Sequence, residues 1–330
     1  MYLYYNKKNT KTLDLCGNDI SKLRKCLLKI SVQNLNPNGE SNKGVIKMNE
    51  QHDSYENKKY EIRSLKTIEK WEKQKYTGVQ KQFQDMVSKP IDYIVQKVGE
   101  EKFNRIEKAI QAVVEKLLYA SRFTVNPERI VRKAKTHGIR INDISDLKNM
   151  SLKFLDACNQ KEISFHTRTA TLHGAIAGIG GELLATVDLT TLIIQDFHMI
   201  QNIAYCYGFD PDDLIEKQII LRIIEGGIGG SDIKFKILKD IEELKQQQEN
   251  QSGKRINAVS TKFIDRYAKK ITVAMIARII SCSLPILAMA VSAHSNRDII
   301  NQSSETALMV YRKRFIARRS LDIIRPNPLS

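Results

Sequence analysis

The 330-residue chain lacks the sequence features of a secreted or metal-binding protein. Its five cysteines are scattered and form no CxxC or other metal-ligand spacing, which excludes a zinc-finger or disulfide-framework class. The N-terminus has no apolar run after a basic stretch, so we expect no secretory signal. Period-two alternation is rare, which leaves little sequence for β-strands. These absences predict a reduced cytoplasmic protein with no cofactor.

Positive charge is in excess, with 53 Lys and Arg against 37 Asp and Glu and a formal net charge of +16. Residues 1–60 carry eleven basic and six acidic side chains, and residues 311–330 carry six and one. Residues 161–230, in contrast, carry four basic and nine acidic side chains. The excess at the two ends predicts an anionic partner, either a membrane surface or nucleic acid.

Apolar residues recur at steps of three and four, which is the period of an amphipathic helix. One run begins near Tyr60 and another near Phe103. Their apolar residues are Ile62, Leu65, Ile68 and Trp71 in the first run, and Ile106, Ile110, Val113, Val114, Leu117 and Leu118 in the second. The pattern predicts an all-α helical bundle. Two central apolar helical segments, at about 171–207 and 271–293, would be wrapped by amphipathic helices of 60–160 and 300–320.

Polar segments divide the chain into three regions. Residues 31–58 are rich in Asn, Ser, Lys and Glu and lack a hydrophobic period, which is typical of a loop or a disordered linker. We therefore predict a poorly ordered basic region over 1–55. A single helical domain is predicted over 56–322, and a short tail over 323–330.

Turn-forming residues predict where two helices of the domain end and begin. Gly208 follows the first apolar segment and is expected at the residue after a helix end. Asp210-Pro211 is expected to cap and open the next helix. That helix is predicted to be amphipathic over 210–224 and to break at the glycine-rich residues 226–230.

Small residues open the first apolar segment, in the sequence GAIAGIGGELLA. Gly174, Gly178 and Gly181 lie in a pattern of small residues four apart, which lets another helix approach closely. The alternative is a dinucleotide-binding loop. Leu183, however, stands where the third glycine of that motif is required, and no predicted strand precedes it. We therefore predict helix packing at these glycines.

Polar side chains form one stripe in the first apolar segment. Asp188, Thr191, Gln195, His198 and Asn202 follow alternate steps of three and four, which places them on one side of a helix. Three interpretations are open: a solvated face or interhelical hydrogen bonds, a polar groove for a lipid headgroup or peptide, and catalysis by Asp188 and His198. The first is favoured, because the two catalytic candidates are more than two helical turns apart.

Two other histidines do not form a recognisable metal motif. His166 and His173 are seven residues apart, and no HExxH sequence or Cys/His cluster accompanies them. We interpret both as capping or surface residues. The sequence therefore predicts no metal site.

The apolar segments do not have the composition of membrane spans. Residues 271–293 contain Arg278 and Pro285, and a central arginine costs about 2.5–3.5 kcal/mol on insertion scales. The other segment would place Asp188, Asp196 and His198 at membrane depth. We therefore predict helices that pack in a bundle and can also dock on a bilayer.

A basic segment, YRKRFIARRS, lies near the C-terminus. Its positive side chains are Arg312, Lys313, Arg314, Arg318 and Arg319. Such a segment is suited to anionic lipid or to the phosphates of nucleic acid. No recognition helix, RNP motif or zinc finger is present, so the membrane is the favoured partner.

Three segments together give a family resemblance: GAIAGIGGE, the run from VDLTTLIIQDFHM to YGFDPDD, and SLPILAMAVSAHSNRD. In this order they resemble the EcsC family of bacterial proteins over about residues 60–320. The matching positions are Asp188, Ile203-Ala204, Tyr207-Gly208-Phe209-Asp210 and Asn296. Leu287-Ala288 depart from the family pattern, which usually has glycine there.

The resemblance implies a bacterial cytoplasmic protein linked to a membrane or a transporter, because the family is named after a gene in an ABC-transporter operon. It supplies no catalytic residues. Our leading hypothesis is a non-enzymatic accessory protein that lies peripherally at the inner face of the cell membrane and binds lipid or a transporter. The alternatives are a hydrolase or transferase that acts on a lipid-like substrate through Asp188 and His198, and a nucleic-acid-binding protein with basic termini. The sequence does not specify an oligomeric state.

Overall fold

The computed structural model describes residues 44–74, 89–119, 132, 135–136, 144–177, 181–229, 237–244, 261–281 and 288–324. Side chains within 44–54, 144–145, 171–188, 278–281, 288–295 and 321–324, and those at 148 and 229, lie outside this description. The regular structure in the described ranges is helical, which confirms the all-α class. The elements are α1 (Gly44–Lys73), α2 (Ile91–Val98), α3 (Glu100–Tyr119), a 3-10 helix (Ile144–Asn149), α4 (Leu152–Ala177), α5 (Gly181–Cys206), α6 (Leu214–Gly229), α7 (Thr261–Ser281) and α8 (Ala288–Ile324).

The predicted apolar faces of α1 and α3 are buried. Leu65, Ile68 and Trp71 of α1 are at most 3% exposed, and Ile110 and Val114 of α3 are fully buried. These residues belong to one continuous hydrophobic core that also includes residues of α4 to α8. The three-and-four spacing of the sequence therefore predicted the core-facing sides of both helices correctly.

Each of the two apolar segments is divided between two helices. Residues 171–207 include the end of α4 and all of α5, and residues 271–293 include parts of α7 and α8. None of the helices in the described part of the chain is long and apolar enough to cross a membrane.

The C-terminal helix α8 lies in the interior and does not wrap around it as predicted. It packs most extensively on α4, and also on α6, α5 and α1. Ile300, Ala307, Phe315 and Ile316 of α8 are fully buried. The basic composition of this helix obscured its apolar side, which supplies the surface on which the other helices pack.

The turn between α5 and α6 agrees with the prediction at its start and differs at its end. Gly208 follows α5 with φ of 73°, a left-handed conformation that favours glycine. α6, however, begins at Leu214, where Asp213 Oδ1 accepts a hydrogen bond of 2.8 Å from the backbone nitrogen of Ile215. Asp210 instead accepts a hydrogen bond from a backbone nitrogen within the turn. The capping aspartate is thus three residues later than predicted.

The predicted break of α6 at residues 226–230 is wrong, because the helix continues to Gly229. Gly227 packs against α8. A Cβ atom at this position would lie 2.6 Å from both the Cα and the backbone nitrogen of Ser303, and in contact with the Ser303 hydroxyl. The glycine therefore allows two helix backbones to approach closely, and does not end the helix.

Helix α1 begins earlier than expected, at Gly44. This start lies inside residues 31–58, which were predicted to lack regular structure, so the prediction is wrong for the second half of that segment. The preceding part of the predicted N-terminal region, residues 1–43, lies outside the described residues.

Candidate functional site

The predicted polar stripe lies on α5. Four of its members, Thr191, Gln195, His198 and Asn202, are half-buried. The side chain of the fifth, Asp188, lies outside the described residues. Along the helix Asp188 and His198 are separated by about 15 Å, because each residue adds about 1.5 Å. The structure therefore does not bring the two catalytic candidates together.

Two side chains of the stripe bind α4 directly. Gln195 Nε2 donates a hydrogen bond of 2.8 Å to the backbone carbonyl of His166. Asn202 Nδ2 donates one of 3.4 Å to Glu162 Oε1. Both contacts are interhelical hydrogen bonds, which was one of the interpretations that the sequence left open.

The residues of α4 that face this stripe were missed by the sequence analysis. Asp156, Asn159, Glu162 and His166 are buried and are spaced three, three and four residues apart. The predicted surface or capping position of His166 is wrong, because this side chain is only 9% exposed. The helical spacing of these polar residues was the available signal. We define the polar seam as Asp156, Asn159, Glu162, His166, Gln195, His198 and Asn202.

Several atoms of the polar seam have no hydrogen-bond partner among the described residues. They are Nδ1 of His166, Oε1 of Gln195 and Nε2 of His198. His166 Nε2 lies 3.8 Å from Glu162 Oε1. Burial, and secondly the neighbouring His166, lower the pKa of His198, which favours the neutral imidazole. The described residues contain no group of three His, Cys, Asp or Glu side chains that could hold a metal ion.

Asp196 lies on α5 outside the stripe and is only 1% exposed. Burial raises the pKa of Asp196 to about 8, although the nearby hydroxyl of Ser303 opposes the shift. The folded protein therefore keeps this carboxyl group largely protonated at neutral pH.

Asp156 joins three other elements at one end of the polar seam. Its carboxylate accepts hydrogen bonds from Tyr60 Oη of α1 at 2.7 Å, from Arg312 Nε of α8 at 2.9 Å, and from Tyr207 Oη after α5. Burial, and secondly the bond to Asp156, raise the pKa of Tyr60 to about 12, so the hydroxyl remains a donor. This arrangement fixes the positions of α1, α4, α5 and α8 relative to one another.

The five predicted membrane-contact residues form internal contacts. We name Arg312, Lys313, Arg314, Arg318 and Arg319 the C-terminal basic cluster; all five are half-buried. Their partners are Asp156 for Arg312, Glu72 for Lys313, Glu216 for Arg314, Glu61 for Arg319, and the backbone carbonyls of Tyr207 and Gly208 for Arg318. Contact with an anionic membrane stays a prediction for these residues, and their pairing supports an internal role instead.

Positive side chains that the sequence analysis did not single out lie on the outer face of α1. We define the basic row as Lys59, Arg63, Lys66, Lys70 and Lys73, all of which are exposed. They follow alternate steps of four and three along the helix. This spacing puts five cations on one side of α1, and it was readable in the sequence once the helical phase was known.

The glycines predicted to pack closely, Gly174, Gly178 and Gly181, fall outside the residues or side chains that are described. Their role in helix packing stays a prediction. The described close approach occurs elsewhere, between Gly227 of α6 and Ser303 of α8. The glycine-rich stretch was predicted to break the helix, so this contact was not foreseen.

Comparison with known proteins gives one family and one relative. The model of the EcsC protein family matches residues 62–316. The protein YdbA of Bacillus subtilis (strain 168) is 22% identical over 265 residues, which cover 77% of this chain and 92% of that protein. No solved structure matches.

Proposed function

The chain belongs to the EcsC protein family, and we propose that it acts by binding and not by catalysis, as an accessory protein at an anionic membrane surface. In this proposal it attaches peripherally to the inner face of the cell membrane. There it contacts lipid headgroups or a membrane transporter.

The observation that carries the proposal is where the positive charge lies. Four residues of the C-terminal basic cluster are matched one to one by carboxylates, so these ion pairs contribute no net charge. The formal net charge of the chain is nevertheless +16. The excess must therefore lie outside these pairs, and the exposed cations of α1 are part of it.

An exposed positive excess attracts a protein to anionic lipid. Each basic residue near such a surface contributes about 1 kcal/mol, and several acting together give measurable adsorption. Salt screens exposed charges over about 8–10 Å at physiological ionic strength. Binding of this kind should therefore be reversible and strongly dependent on salt.

Vesicle sedimentation tests the proposal. We expect the full chain to sediment with vesicles of phosphatidylcholine mixed with phosphatidylserine at low salt, and to be released at high salt. Vesicles of phosphatidylcholine alone are the control and should leave the protein in the supernatant. A protein that stays in the supernatant with both kinds of vesicle at low salt would show the proposal to be wrong.

The two alternative functions have less support from the structure. A hydrolase or transferase site requires an acid and a base near one substrate, whereas Asp188 and His198 lie about 15 Å apart along α5. Nucleic-acid binding would use the same exposed charges as lipid binding. It predicts steep salt dependence on DNA or RNA with no preference for anionic vesicles, which the same experiment can measure.

A further inference from the structure

The basic row on α1 combines regular spacing with exposure. Its five cations lie between Lys59 and Lys73, a separation of fourteen residue steps that corresponds to about 21 Å of helix. Tyr55 is 51% exposed and lies four residues before Lys59, so it continues the row by one position. The row is thus a straight line of positive charge with an aromatic ring at one end.

The opposite side of α1 holds this row in a fixed orientation. Leu65, Ile68 and Trp71 pack in the hydrophobic core. Glu61 binds Arg319 of α8 at 3.0 Å, and Glu72 binds Lys313 of the same helix at 2.9 Å. The apolar residues of α1, together with Glu61 and Glu72, therefore face the protein, and the basic row faces outward.

The central cations of the basic row carry its uncompensated charge. Lys59 pairs with Glu56 at 3.2 Å, and Lys73 pairs with Glu69 at 2.7 Å. These pairs lie at the surface, where an ion pair contributes little and leaves both charges accessible. Arg63, Lys66 and Lys70 make no salt bridge with any described side chain. They are the residues on which an external anion would act most strongly.

We propose that the basic row is the surface through which the protein rests on anionic lipid headgroups, with α1 parallel to the plane of the membrane. The inference depends on the proposed function and adds the location of the contact. Because the apolar residues of α1 are buried in the core, the helix adsorbs by charge and does not insert. Tyr55 supplies the amphipathic ring that is favoured at headgroup depth.

The shape of the row favours a membrane over nucleic acid. A plane of headgroups can meet all five cations of a straight row together. The phosphates of a nucleic-acid duplex follow helical strands around a cylinder. A straight row of charges on α1 cannot follow these strands, so fewer of the five charges would make contact at once. An anionic bilayer is therefore the partner whose geometry matches the row.

Matched triple substitutions test the location. The row variant carries Arg63→Gln, Lys66→Gln and Lys70→Gln. The control variant carries Lys262→Gln, Arg266→Gln and Lys269→Gln, which removes three exposed cations with similar helical spacing from α7. Both variants lose the same net charge. Circular dichroism and thermal unfolding should show that both remain folded, because all six side chains are exposed.

Binding is measured on phosphatidylserine-containing vesicles over a salt series. The row variant is expected to lose about a hundredfold in affinity, since three basic contacts at about 1 kcal/mol each correspond to two orders of magnitude. The control variant should lose less than a few-fold. Equal losses in the two variants would overturn the location and leave the proposed function intact. Failure of the unmodified protein to bind would overturn both.

A parallel measurement with duplex DNA distinguishes lipid from nucleic acid as the partner. DNA is titrated into each protein at the salt concentration used for vesicles. Weak DNA binding, with vesicle binding lost in the row variant, supports the lipid contact. Tighter binding to DNA than to vesicles, with that binding lost in the row variant, would overturn lipid as the partner and assign the row to nucleic acid.

Discussion

A carboxyl group buried as deeply as Asp196 keeps its proton to a higher pH than it does in the unfolded chain. The pKa is about 8 in the folded protein, against an ordinary value of 3.8. Between these values the unfolded chain has released the proton and the folded protein has retained it. The free energy of unfolding therefore falls as the pH rises through this window, by up to about 1.4 kcal/mol per pH unit.

The substitution Asp196→Asn removes this titration. As the pH is raised from about 4 to about 8, we expect the free energy of unfolding of the variant to increase relative to that of the unmodified protein. Over this range the folded unmodified protein must retain the proton on Asp196, whereas the variant has no carboxyl group at this position. Urea unfolding at several pH values measures the difference. Asp265→Asn is the control, since Asp265 is exposed. A stability difference that does not change with pH would contradict the assignment of a raised pKa to Asp196.

Helices α6 and α8 depend on Gly227 for their close approach. The substitution Gly227→Ala would place a methyl group 2.6 Å from the Ser303 backbone, which cannot move without displacing α8. Overpacking of this kind typically costs about 1–3 kcal/mol. We expect a loss of stability in that range, measured by chemical denaturation.

The adjacent glycine provides the control for this prediction. A methyl group at Gly226 would meet the Cδ1 atom of Ile237 at 2.9 Å and the Cγ2 atom of Thr306 at 3.4 Å. The nearer atom is the end of a side chain that can rotate. Alanine also has the higher helix propensity, by about 1 kcal/mol. Gly226→Ala should therefore be nearly neutral, and equal losses at the two positions would argue against the close approach.

The packing of α8 against α6 also depends on Arg314 of α8. Its guanidinium binds both oxygens of Glu216, at 2.6 and 2.8 Å, and Glu216 is only 5% exposed. Arg314→Met leaves a buried carboxylate without its cation, which costs about 3–5 kcal/mol. Arg105→Met removes an exposed pair with Glu101 and should cost less than about 1 kcal/mol.

The same variants decide between an internal role and a membrane role for Arg314. An internal role predicts a large loss of stability in Arg314→Met. A membrane contact predicts a folded variant of normal stability with weaker binding to anionic vesicles. Unfolding curves and vesicle sedimentation on the same preparation separate the two outcomes.

For the whole molecule, periodicity predicted the helices better than their arrangement. The spacing of Leu65, Ile68 and Trp71 is local information, so it specified which side of α1 is buried. The partners of Arg312 and Arg314 are 156 and 98 residues away along the chain, and composition does not reveal such pairs. The basic segment was therefore predicted to lie at the surface, whereas in the structure it is part of the interior. The same local rule found the polar stripe on α5. Its hydrogen-bond partners on α4 could not be identified in this way, because they depend on how the two helices pack.

The attachment of α1 decides whether the molecule unfolds as one unit. Trp71 is the only tryptophan of the chain, is 3% exposed and belongs to the shared core. Tyr60 and Glu61 bind Asp156 and Arg319, which tie α1 to α4 and α8. A helix held by both core packing and buried polar contacts should not detach before the rest of the protein unfolds.

Two spectroscopic probes test this cooperativity. Trp71 fluorescence reports the docking of α1, and far-ultraviolet circular dichroism reports all helices together. We expect coincident midpoints in urea, as for a single cooperative unit.

In the Asp156→Asn variant the polar attachment of α1 is weakened while its apolar contacts remain. The fluorescence midpoint should then fall together with the dichroism midpoint, because both belong to one unit. A fluorescence transition that precedes the other in the unmodified protein would show that α1 is a separate unit, and would remove the rigid support that the basic row requires.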